Sequence, residues 1–221
     1  IYGVGGGITW DSTWESEYRE VQQKAAVLYR KQPLFQLITT GKISQKKLLF
    51  EKQHLERLKK ASRYFAFPFD QEVLRQKLEK ECQAFDLHQD YRLRISLSKS
   101  GEIEIERQVL TPLSSSFCQA KLCLQEADLE QAFTYFKTTH RPHLTVGEQE
   151  IIYHTADGKL LETTIGNLVL KMDGKLYTPP SQLGLLPGIY RQHLLENRQV
   201  EEKVLTLSDL KKAEVIYACN A

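Results

Sequence analysis

Three strand-turn-strand patterns constrain this chain most. Tyr91 to Leu97 and Glu102 to Val109 alternate apolar and polar residues around Lys99-Ser100-Gly101. Ile151 to His154 and Lys159 to Thr164 flank Ala156-Asp157-Gly158, and Leu168 to Met172 and Lys175 to Thr178 flank Asp173-Gly174. Asp-Gly between apolar runs is the strongest short-range hairpin signal, so antiparallel pairing is expected in both halves of the chain. The intervening segments carry the helical period instead. Leu55, Leu58, Ala61, Ser62 and Phe65 recur at helical spacing, and further helices are expected over Glu15 to Arg30, with Asp11-Ser12 as candidate cap, over Gln71 to Phe85, and from about Ile189 to Glu196. Leu34 to Thr39 reads as a strand turning at Thr40-Gly41-Lys42. The fold class expected is α+β, in two α/β parts: residues 33–112 and 117–221, divided near Pro112 and Ser114-Ser115-Ser116, with residues 1–31, which read as strand, loop and helix, distinct in character.

Of 221 residues, 41% are hydrophobic and 26% charged, which excludes disordered and fibrous classes. Thirty Lys and Arg against 28 Asp and Glu leave +2 without an extended basic stripe, which argues against nucleic acid and anionic membranes and for a small-molecule partner. Apolar runs such as Ala25 to Tyr29 fall far short of the roughly 20 residues a membrane helix needs. Cysteines 82, 118, 123 and 219 form no C-x-x-C pair or zinc-finger pattern. They are expected to be reduced and mostly buried, in a cytoplasmic protein. The start at Ile1 and the end at Ala221 suggest a piece of a longer chain.

Lys137 lies in Tyr135-Phe136-Lys137-Thr138-Thr139-His140-Arg141. An amine partly desolvated and close to cations loses proton affinity, as a Schiff-base lysine requires, although a solvated lysine on an irregular strand fits the heptapeptide too. Glu162 follows the first Asp-Gly hairpin and could accept a pyridinium proton, or be an ordinary strand glutamate. Gly184 to Arg191 puts glycines and a proline before a helix, where backbone N–H groups favour phosphate, or where a loop simply meets a helix. Arg57, at the flank of its helix's apolar stripe, could face a cleft or water.

These motifs occur in an order that closely resembles the class IV pyridoxal-phosphate enzymes. They are Phe35 to Thr40, Phe50 to Leu58, Phe136 to Arg141, Leu161 to Leu168, Thr178-Pro179-Pro180 and Gly184 to Arg191. The resemblance covers about residues 33–221 and implies pyridoxal 5'-phosphate in a cleft between two α/β subdomains, and a homodimer. It implies Lys137 as the lysine joined to the cofactor and Glu162 facing the pyridine nitrogen. Arg57 and the Ile189 and Tyr190 amides would hold phosphate, with Asn167 and Gly188 also in the cofactor site. No metal is expected there.

Residues 2–20, from Tyr2-Gly3-Val4-Gly5-Gly6-Gly7 to Glu17-Tyr18-Arg19-Glu20, resemble the C-terminal signature of chorismate-utilising enzymes, specifically component I of aminodeoxychorismate synthase. In that family the counterparts of Glu17 and Glu20 help hold magnesium, which one strand and one helix alone would not do. The resemblance implies a fusion in which a glutamine amidotransferase subunit could serve the full-length synthase. It also favours 4-amino-4-deoxychorismate lyase among the class IV enzymes. Thr39-Thr40 matches a pair in the lyase, and Pro142 stands where branched-chain aminotransferases carry tyrosine. On that reading Lys137 is the base, and Thr39 positions or protonates the departing enolpyruvyl group. The products would be 4-aminobenzoate and pyruvate, in folate biosynthesis. An aminotransferase of a small amino acid and a non-catalytic extension of the synthase are the alternatives. The segment between Lys137 and Glu162 is short, so the helix usual after the lysine is expected to be a loop.

Overall fold

The computed structural model describes residues 3–29, 33–111, 117–125, 131–145, 147 and 149–221. It divides into two compact units, Ile1–Leu34 and Phe35–Ala221. The division expected near Pro112 and Ser114–Ser116 lies outside the described residues.

In the first unit, α1 (Trp14–Tyr29) carries Glu15 and Glu17 in its first turn, near the positive end of its dipole. Thr13 caps it rather than Asp11-Ser12. Ser16 N–H donates to Thr13 Oγ1 at 3.3 Å and Thr13 N–H to Ser16 Oγ at 3.2 Å. Ser12 is used otherwise, its hydroxyl donating to Glu17 at 2.6 Å. The strand expected before this helix does not form: residues 3–9 find no strand partner among the described residues. The glycine loop does approach the two glutamates, since a Cβ at Gly6 would lie 3.1 Å from Glu17 Oε2 and 3.2 Å from Glu20 Oε1. Glu20 is paired with Lys24, and no group of three or more potential metal ligands occurs among the described residues.

The second unit begins with β1 (Leu37–Ser44), β2 (Lys47–Leu48), α2 (Glu51–Phe65), α3 (Gln71–Gln83), β3 (Tyr91–Leu97) and β4 (Ile103–Val109). The strands form an antiparallel sheet in the order β2-β1-β3-β4. Alternate residues of β1 turn toward α2, and Leu37, Ile43, Leu55, Leu58, Leu74, Leu93 and Ile95 build the core between sheet and helices. β1 overruns the turn expected at Thr40-Gly41-Lys42; the chain reverses at Gln45-Lys46, both with positive φ. Gly41 is there for space rather than for a bend. A Cβ on it would meet His54 Nε2 at 2.5 Å.

The rest of this unit comprises β5 (Ala120–Leu124), α4 (Gln131–Tyr135), β6 (Glu150–His154), β7 (Leu160–Thr163), β8 (Asn167–Met172) and β9 (Lys175–Thr178). Then follow α5 (Ile189–Glu196), β10 (Glu201–Glu202), α6 (Leu207–Lys212) and β11 (Val215–Cys219). Their strands make a seven-stranded sheet ordered β10-β9-β8-β7-β6-β5, with β11 also on β8. Both Asp-Gly hairpins form where expected, with Gly158 and Gly174 at positive φ. Leu160, Leu168, Leu170 and Leu205 lie at the centre of one core cluster, and Tyr153 and Leu161 anchor another. No helix forms between Lys137 and β6 among the described residues.

A joint ties the first sheet to residues 137–139, which lead on toward the second sheet. Leu37 pairs with Thr138, Ile38 N–H donates to Lys137 O at 2.9 Å, and Thr139 N–H donates to Gln36 O at 2.9 Å. A cluster of Phe35, Phe65, Phe67, Phe133 and Phe136 packs beside it. No helix among the described residues is long and apolar enough to cross a membrane. The cysteines are free, but Cys118 is exposed and the other three only half-buried, so the expectation of mostly buried thiols does not hold.

Candidate active site

Lys137 leaves the short α4 and enters the joint with β1, which fixes its backbone while its side chain turns into a half-buried region rich in cations. Burial, reinforced by Arg57, Arg141 and Arg92, pulls its amine down to about 7, against the pull of Glu162. At neutral pH a large share of it is therefore unprotonated, the form that adds to a carbonyl or takes up a proton. A surface lysine does neither well.

Glu162, on β7, is 3% exposed. Its Oε1 accepts from Arg141 Nη2 at 3.3 Å and from Leu186 N–H at 3.4 Å. Burial lifts its carboxyl to about 7, opposed by Arg141, the Leu186 N–H and Lys137. An amine and a carboxyl that both change charge near neutrality, in one buried cluster, mark a place for proton transfer.

Arg57 lies in α2 and its Nη2 donates to Pro187 O at 2.8 Å. Burial and the nearby Arg141 lower it to about 10, so it remains a cation. This bond brings it to the N-terminal end of α5, where the first backbone N–H groups, those of Ile189 and Tyr190 among them, lack intrahelical acceptors. Guanidinium and helix N-terminus together suit a dianion better than the dipole alone, worth about 0.3–1 kcal/mol per charge. The Tyr190 ring itself packs toward Phe50 and His193.

The loop into α5 is braced from β8. Asn167, 3% exposed, donates from Nδ2 to Leu186 O at 2.8 Å, and its Oδ1 occupies the space where residue 188 would carry a Cβ, 1.9 Å away. Gly188 is thus required sterically; its φ of −65° is ordinary.

Thr39 is 1% exposed, and its hydroxyl sits 2.7 Å from His54 Nδ1. The hydroxyl offered on sequence grounds to a departing group is engaged by this ring. Lys137, Glu162, Arg57, Asn167, Gly188 and the start of α5 are thus joined through bonds and charge, with Thr39 reaching them through β1 and His54. Glu17 and Glu20 belong to the other unit.

Three further residues escaped the sequence reading. Arg141 links Glu162 to Lys137 and Arg57 electrostatically, a role hinted at by its position four residues after Lys137. His54 precedes Arg57 by three residues, one helical turn, and so shares its face. His143 is buried with neither ring nitrogen partnered among the described residues, and burial, Arg141 and His140 hold it down to about 4. Only the fold reveals that one.

The family model described as amino-transferase class IV matches residues 36–221. The chain belongs to this family. A protein of Schizosaccharomyces pombe named "Putative aminodeoxychorismate lyase" is 24% identical over 183 residues, 76% of this chain and 78% of its own length. A Mesorhizobium loti structure titled a "Putative amino-acid aminotransferase" superposes with a TM-score of 0.71 at 26% identity, covering 84% of this chain and 94% of that one. The PLP-bound form of a Mycobacterium tuberculosis protein titled "A hypothetical aminotransferase" superposes with a TM-score of 0.70 at 20% identity, covering 89% and 79% of the two chains, which is a likeness of class IV fold.

The Arg57 placement carries a direct test. Arg57→Ala should weaken retention of a phosphorylated cofactor at least about tenfold, as loss of a charge-assisted contact implies. Lys59→Ala, two residues along the same helix, should leave it unchanged. Equal retention by both variants in equilibrium dialysis would remove Arg57 from the site.

Proposed function

We propose that the chain is a pyridoxal-phosphate-dependent lyase that converts 4-amino-4-deoxychorismate to 4-aminobenzoate and pyruvate. The observation that carries the cofactor reading is the half-buried Lys137 in one charged cluster with Arg57, whose guanidinium reaches Pro187 O at the start of α5, and with the buried Glu162 carboxyl. The donor set fits the group at three points: an unprotonated amine for its aldehyde, a guanidinium with a helix N-terminus for its phosphate, and a buried carboxyl for its pyridine nitrogen. When bound, the cofactor supplies an electron sink for a carbanion next to the substrate nitrogen.

The chain's own residues supply the rest. Arg57 and the N–H groups opening α5 bind the phosphate, and Asn167 keeps that loop in place by holding Leu186 O. Glu162, steadied by Arg141 and Leu186 N–H, holds a proton at the pyridine nitrogen. Lys137 Nζ, the amine that would hold the cofactor, would also accept the C4 proton of the substrate. The enolpyruvyl group would leave from the neighbouring carbon as the enolate of pyruvate, which regains the proton held by Lys137, and the ring would become aromatic, so no second substrate is needed.

Two observations favour the lyase over the transaminase. The curated relative carries the lyase name across most of its length, and the position five residues beyond Lys137 is the exposed Pro142, which offers no hydroxyl. The aminotransferase reading draws on the Mesorhizobium loti likeness. The reactions differ in what they consume. Supplied with 4-amino-4-deoxychorismate and no keto acid, the chain should release pyruvate and 4-aminobenzoate in equal amounts. Turnover that stops without a keto-acid acceptor would establish the aminotransferase instead.

A further inference from the structure

His54 is the least expected residue of the site. It is 1% exposed, on the face of α2 that meets β1, with its ring held at two points of that strand. Nδ1 lies 2.7 Å from Thr39 Oγ1, while Nε2 and Cε1 lie against Gly41, where a Cβ would come within 2.5 and 2.9 Å of them. Nε2 has no hydrogen-bond partner among the described residues. A polar ring buried with one nitrogen unsatisfied is costly unless its position achieves something else.

What it connects is on either side. Arg57 follows His54 by one turn of α2, and Ile38, next to Thr39 in β1, holds the Lys137 carbonyl at 2.9 Å. The Thr39–His54 contact is therefore the polar link in a short path from the guanidinium that reaches Pro187 to the backbone that carries the catalytic amine. We infer that His54, locked between Thr39 and Gly41, is a positioning residue that sets the distance between Arg57 and Lys137, and so matches the site to a ligand anchored at both ends. The inference rests on the cofactor reading above, in which phosphate meets Arg57 and the aldehyde meets Lys137.

The ring's charge state supports this use. Burial, with Arg57 and Lys137 close by, drives it down to about 3, so it is neutral across the working range and acts by shape and hydrogen bond rather than by titration. With Nε2 facing a carbon, a proton on Nδ1 avoids stranding a buried N–H. His54 is then the donor and Thr39 Oγ1 the acceptor.

The test compares two ligands of the cofactor-free chain, pyridoxal phosphate and pyridoxal, by titration of the visible absorbance that follows attachment to Lys137. Pyridoxal lacks the phosphate, so it cannot sense the distance to Arg57. His54→Leu keeps the bulk and loses the bond; it should weaken pyridoxal phosphate about fivefold or more, within the worth of one buried hydrogen bond, and change pyridoxal less than about twofold. Thr39→Val, nearly isosteric, should do the same, and the double variant should be no worse than either single one. His54→Asn, which retains a donor near the Nδ1 position, should recover part of the loss. If both ligands weaken in parallel, the ring is merely structural; if neither changes, it sets nothing, and either result overturns the inference. Failure of the wild-type chain to take up pyridoxal phosphate at all would instead sink the cofactor reading.

Discussion

Lys137→Met is expected to abolish turnover and to leave no site for borohydride to link a pyridoxyl group, while making the cofactor-free chain harder to unfold. Borohydride treatment of the wild-type chain followed by peptide mapping should place the label on Lys137; a label on any other lysine would refute the assignment. The stability gain follows from linkage. The folded amine titrates near 7 and an unfolded lysine near 10.5, so between those values the unfolded chain binds the proton and the folded chain does not. Wild-type stability therefore rises with pH across that window, and the penalty removed by methionine is full below about pH 7 and gone above about 10.5. With Lys137 only half-buried, about 1–2 kcal/mol is a reasonable share of that penalty, or about 2–8 °C in melting temperature for a chain of this size. A Met variant that melts lower than wild type at pH 6.5 would contradict the burial of the amine.

Gly188→Ala should be the most damaging single methyl in the site. The new carbon would overlap Asn167 Oδ1 at 1.9 Å, so Asn167 must release Leu186 O or α5 must shift, and either displaces the N–H groups proposed to bind the phosphate. Overpacking of this kind costs about 1–3 kcal/mol, which predicts pyridoxal phosphate affinity lower by about five- to 150-fold. The compensating pair makes the test specific. Adding Asn167→Ala to Gly188→Ala should restore part of the affinity by emptying the contested space, whereas the same addition to the wild-type chain should only weaken binding. Unchanged binding by Gly188→Ala would mean that the loop does not lie on Asn167.

Much of this architecture was legible in the residues because local rules and tertiary structure agree there. The hairpins at Asp157-Gly158 and Asp173-Gly174 and the helix from Ile189 to Glu196 were readable from turn chemistry and periodicity alone. Gly41 misled because glycine signals both a bend and a close approach, and only the partner helix, with His54 against the bare Cα, distinguishes them. The order of motifs identified Lys137, Glu162 and Arg57 as candidates without giving the protein groups that each touches, such as Pro187 O for Arg57 and Arg141 for Glu162. His54 and His143 were invisible for a related reason: their burial is decided by elements distant in sequence, and a histidine on a helix or loop carries no local mark of it. The strand expected before α1 failed because a strand needs a neighbour, which residues 3–9 lack among those described.

The joint between residues 36–38 and 137–139 limits how this protein can move. Pairing of Leu37 with Thr138 and the bonds from Ile38 and Thr139 carry the Lys137 backbone on the edge of the first sheet while its chain continues into the second. A hinge that swung the two sheets apart at this joint would have to break those backbone hydrogen bonds and would carry the Lys137 amine away from Arg57 or Glu162. Any opening between the two sheets is therefore coupled to the placement of Lys137, whose backbone carbonyl is held by Ile38.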